Sequence, residues 1–162
     1  MQKLLNCKDI KRKIVMTQEQ KDLLLKDFCA RLPYGVKCKV VYFPTHGLGG
    51  DNDKNVWSIA SIIYYPLESE HHENVHTIHY YPDGRVMHIY PQIDGIKPYL
   101  FPLSSMTDEQ LPYYITTLKY SKETRGMVET PNSFDWLNKN HFDYRGLIEK
   151  GLAIDATGLN IY

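Results

Sequence analysis

His72-Glu73-Asn74-Val75-His76 is the sharpest chemical signal in the chain. Histidines at i and i+4 lie one helical turn apart on one face. In a helix, both imidazoles reach one zinc ion and the intervening glutamate serves as general base of a hydrolase. Pro66 fits a first helical position, and Glu68 and Glu70 fit the early turns. The residues that follow oppose a helix. Val75, Thr77, Ile78, Tyr80 and Tyr81 favour strand, and Pro82-Asp83-Gly84 calls for strands on both sides. In an extended chain, His72 and His76 stand about 13 Å apart, too far to share a metal. The longer zinc-peptidase signature is also broken, because positions 79 and 82 carry His and Pro where Gly and His are needed. The chain is therefore expected to be extended here, with no metal site and no cofactor. A small zinc-dependent hydrolase using His72, Glu73 and His76 stands as the alternative.

The hairpin gathers a different set of side chains. Pairing Tyr81 with Arg85 puts His76, Ile78, Tyr80, Val86, His88 and Tyr90 on one face, with Val75, Thr77, His79, Tyr81, Met87 and Ile89 on the other. His76 and His88 share a face, but no carboxylate that would complete a metal site is visible. Of the 13 tyrosines, Tyr64, Tyr65, Tyr80, Tyr81, Tyr90 and Tyr99 cluster in this region. Tyrosine combines a large contact area with a polar tip at low entropic cost, which suits recognition. The candidate binding residues are Tyr64, Tyr80, His76, His88 and Tyr90, with a protein as the expected partner.

Other motifs carry less. The loop His46-Gly47-Leu48-Gly49-Gly50-Asp51 lacks the Gly-Lys-Ser/Thr ending of a phosphate loop, and a strand follows it instead of a helix. Asp51, Asp53 and Asn55 match the first calcium-loop positions, but Val56 and Ile62 stand where Gly and Glu are required. No G-x-S-x-G elbow occurs.

The elements that must position these residues can be read in order. Thr17 and Gln20 form a capping box ahead of a helix over 17–32, whose Leu24, Leu25, Phe28, Cys29 and Leu32 make one apolar stripe. On that stripe Cys29 reads as a small core residue. Strands are expected over 36–43, 56–65, 75–81 and 85–90, the second of them interior to the sheet. Thr107 and Gln110 make a second box before a helix that Pro112 delays or shortens. Thr130-Pro131 opens another, with Phe134, Leu137 and His141 at helical spacing, and Asp143 caps a final short helix ended by Gly151. The fold class is α+β: an N-terminal helix, a mainly antiparallel sheet of about four strands, then several short C-terminal helices.

The chain has 162 residues and equal numbers of basic and acidic groups, 19 each. That length fits a single α+β domain over 16–162. Zero net charge leaves no overall field to gather nucleic acid or anionic membrane. Residues 1–15 are the exception, with five basic side chains against Asp9, and read as a solvated basic extension. A nucleic-acid role through that arm is disfavoured by the acidic remainder. Three cysteines without C-x-x-C spacing exclude a disulfide framework and a structural zinc site. No apolar run is long enough for a membrane span, and a cytoplasmic protein is expected.

Three segments, 16–35 (MTQEQKDLLLKDFCARLPYG), 97–110 (KPYLFPLSSMTDEQ) and 135–162 (DWLNKNHFDYRGLIEKGLAIDATGLNIY), cover 62 residues. They resemble an uncharacterised small-protein family of gut Bacteroidales, often encoded beside phage or mobile-element genes. The family pattern begins at the equivalent of Met16, which makes residues 1–15 an upstream extension or a misassigned start. The resemblance implies an accessory role and carries no catalytic residues. The segment 36–96 varies within such proteins, so specific recognition is expected there.

Overall fold

A computed structural model describes residues 16–41, 56–66 and 71–162, placing only the backbone of 63–66 and 71–74. The basic extension, the phosphate-like and calcium-like motifs of 44–55, and Glu68 and Glu70 lie outside the described residues.

Helix α1 (Gln18–Arg31) starts where the capping box sets it. The Gln20 backbone N–H donates to Thr17 Oγ1 at 3.2 Å, and the Thr17 N–H donates to Gln20 Oε1 at 2.9 Å. Its buried side chains are Leu24, Asp27, Phe28 and Arg31. The apolar stripe thus turns away from Cys29, which is exposed rather than in the core. What displaces it is an ion pair: Asp27 and Arg31 satisfy each other and enter the interior together.

Strands β1 (Lys37–Val40), β2 (Trp57–Pro66), β3 (His71–Tyr80), β4 (Val86–Ile89), β5 (Ile96–Leu100) and β8 (Ile154–Asp155) form one sheet. Their order is β4-β3-β2-β1-β5-β8. All neighbours are antiparallel except β5 and β8. The chain is α+β, and its sheet is mixed with six strands instead of the expected four. Pro98 conceals β5, because proline weakens any strand reading by removing a ladder donor. The two residues of β8 are too few to show a period.

Burial alternates along β1 and at Trp57–Ile59 and Val75–Thr77, whereas β5 buries Pro98, Tyr99 and Leu100 in succession. Val36, Cys38, Val40, Trp57, Ile59, Val75, Ile89, Ile96 and Leu100 face inward and join Leu24 and Phe28 of α1 with Leu147, Leu152 and Ala153 in one cluster. Each valine, leucine, isoleucine or phenylalanine among them contributes about 1.5–3 kcal/mol of burial.

After β5, α2 (Gln110–Thr117) starts late, as Pro112 implies, although Thr107 and Gln110 still exchange both capping bonds. A small hairpin, β6 (Lys119–Ser121) with β7 (Gly126–Val128), leads to α3 (Pro131–Lys139). Thr130 caps α3, and Pro131 lies in its first turn. The expected final helix does not form. Residues 144–151 are turns, with Gly146 and Gly151 at φ +67 and +68. Asp143 nonetheless caps them, accepting from the N–H groups of Leu147 (2.9 Å) and Ile148 (2.8 Å). Among the described residues no helix is long and apolar enough to cross a membrane.

Candidate functional site

The turn between β3 and β4 sets the register of everything near it. Gly84 takes φ +86 and its N–H donates to Tyr81 O at 3.0 Å. Arg85 donates to Asp83 through its backbone (3.1 Å) and its guanidinium (2.7 Å), which holds the Asp83 carboxyl below the usual range. The Tyr81 N–H meets Arg85 O at 2.9 Å, so Tyr80 lies opposite Val86 and Ile78 opposite His88. This is the pairing expected from Pro82-Asp83-Gly84.

With that register, the two faces separate cleanly. Val75 and Thr77 are fully buried. His79 also points inward: its Nδ1–H donates to Val56 O at 2.8 Å, and its ring lies 5.2 Å from Trp57 and edge-on to Tyr81. A carbonyl can only accept, so the proton is on Nδ1. His79 is a satisfied structural histidine.

The outer face carries His76, Ile78, Tyr80, Val86, His88 and Tyr90. Tyr80 is 65% exposed, Val86 46% and Tyr90 46%, so the hairpin leaves this face to solvent. His76 is the centre of the group. Its ring lies nearly parallel to Tyr90, 14° between planes and 4.7 Å between centroids. Its Nε2 is 2.9 Å from His88 Nδ1, and its Nδ1 is 3.4 Å from Ser61 Oγ. Ser61 reaches this position through an irregularity between Ile59 and Ser61, after which β2 pairs Ser61 with His76. Bulges commonly re-aim a side chain in this way. Nothing in the sequence marks the one-residue slip in β2 that brings Ser61 here.

Of the five candidates, His76 contacts both His88 and Tyr90, and Tyr80 lies further along the same face. Tyr64 belongs to β2 opposite Glu73, with its side chain outside the described set. The HENVH segment lies wholly within β3. Its histidines are four residues apart on an extended strand, and the shared helical face required by the hydrolase reading does not form. Among the described residues no group of three or more His, Cys, Asp or Glu stands together as a metal cage.

A second polar cluster lies in the interior. Arg31 Nε donates to Asp27 Oδ2 at 2.8 Å, and its terminal nitrogens donate to the carbonyls of Phe142 (2.7 Å) and Leu137 (3.4 Å). Arg145 reaches Asp27 Oδ1 at 3.5 Å and lies over the Tyr144 ring. Beside it, His141 stacks on Tyr162 at 3.8 Å, and burial lowers its pKa to about 4. Tyr162 donates to Tyr99 O and accepts from the Lys37 N–H, and burial raises its pKa. These groups tie α1 to the C-terminal turns and to β1. The His141 side chain makes only the ring contact, its buried Nδ1 having no hydrogen-bond partner among the described residues. The others bond to one another and to backbone, so the cluster's role is cohesion.

No family model, curated protein or solved structure matches the chain.

Proposed function

We propose that this chain is a non-enzymatic cytoplasmic accessory protein, associated with a phage or mobile element, that binds a partner protein through the outer face of β3 and β4. The observation that carries this reading is the exposure of Tyr80, Val86 and Tyr90 on one face of a hairpin whose opposite face is core. Exposed aromatics rimmed by polar groups are a common mark of a recognition surface. His76 and His88 add hydrogen-bonding groups within it. The resemblance of the three flanking segments to the Bacteroidales family supports the accessory role, and the variable stretch between them contains this hairpin.

The experiment is a comparative capture from native host lysate, using wild type and a Tyr80→Ser/Tyr90→Ser double variant. A protein retained by wild type and lost from the folded double variant supports the reading. Equal retention by both, or retention by neither, contradicts it.

A further inference from the structure

His76 and His88 meet nitrogen to nitrogen at 2.9 Å. Two bare lone pairs at that separation repel and two N–H groups clash, so one hydrogen lies between them. Two imidazoles this close on one exposed face can bind one cation once that hydrogen leaves the line between them. We propose that His76 Nε2 and His88 Nδ1 form a two-imidazole site for a divalent transition-metal ion of the copper or nickel type.

Donor type and spacing both suit this class of ion. Imidazole nitrogens bind such metals at about 2.0–2.1 Å, and two of them 2.9 Å apart subtend about 90° at a common ion. That is the cis angle of tetragonal Cu(II) or Ni(II). Affinity for nitrogen ligands also peaks at copper.

The two ligands differ in freedom. His76 is the more constrained, lying flat against Tyr90 with Ser61 Oγ near its Nδ1. When that Nδ1–H donates to Ser61, Nε2 presents a lone pair towards His88. Metal-binding histidines are usually oriented through their second nitrogen in this way. His88 is exposed on the edge strand, and its χ2 torsion has a broad minimum. The two nitrogens face each other along the line joining the ring centroids, 5.2 Å apart, so both rings turn on binding, His88 the further, to aim at an ion on the solvent side. For the neutral pair no proton is released, because the bridging hydrogen moves to the far nitrogen of its own ring. The chain supplies two cis positions and water fills the others. This site does not depend on a partner protein.

The test titrates CuCl2 into the full chain, free of any affinity tag, by calorimetry, with electron paramagnetic resonance of the bound ion. One equivalent of Cu(II) showing two imidazole nitrogens is expected. His76→Ala and His88→Ala should each weaken it at least about tenfold. Should His76→Ala fail to fold, His88→Ala alone decides, since that side chain is exposed on an edge strand. Copper affinity unchanged in His88→Ala, or a spectrum without two imidazole nitrogens, overturns the proposal.

Discussion

Asp27 and Arg31 lie one turn apart on α1, both fully buried, with Arg31 Nε 2.8 Å from Asp27 Oδ2. Removing one member of such a pair leaves a desolvated charge whose remaining partners are weaker. Asp27→Ala is expected to destabilise the fold by about 3–5 kcal/mol. Urea unfolding at neutral pH checks this, and an unchanged midpoint would show that Arg145 and the nearby carbonyls do not need the carboxylate.

His141 links stability to pH. Its pKa falls from 6.5 in the unfolded chain to about 4 in the fold, chiefly through burial and then through the charges of Arg31 and Lys37. Between those values the unfolded chain binds more protons, so stability rises with pH. Its contribution is complete above about pH 6.5 and is lost as pH falls towards 4. His141→Asn, which tolerates the local φ of +58, should flatten this limb of the urea-midpoint profile.

The two faces of the sheet should respond oppositely to substitution. Trp57→Ala empties a fully buried position and is expected to cost about 3–5 kcal/mol. Tyr80→Ser, on the exposed side, should change stability by less than about 0.5 kcal/mol. Comparable losses in thermal unfolding would mean that the outer face is covered.

At the hairpin tip, a Cβ on Gly84 would meet nothing within 4 Å, so only backbone strain at φ +86 opposes a side chain. Gly84→Ala is expected to cost about 1–2 kcal/mol, with Gly84→Asn costing less. Equal stability of all three proteins in urea would place the turn in another conformation.

Local chemistry made part of this architecture legible. Thr17 with Gln20, and Thr130 with Pro131, mark helix starts because caps act within one turn. Pro82-Asp83-Gly84 sets the hairpin register, and with it the meeting of His76, His88 and Tyr90. Long-range balances were not readable. Asp27 and Arg31 look like solvent-facing helix residues until carbonyls from the C-terminal turns satisfy Arg31, and their burial pushes Cys29 outward. Pro98 hid β5, and the slip that brings Ser61 to His76 leaves no mark in the sequence.

Residues 71–80 form a strand, and nuclear Overhauser contacts in the folded protein measure that directly. Cross-strand contacts of Tyr80 with Val86 and of Ile78 with His88 are predicted, together with ring contacts between His76 and Tyr90. Medium-range i to i+3 contacts running through 72–80 would instead reveal a helix, bring His72 and His76 onto one face, and contradict the binding surface described above.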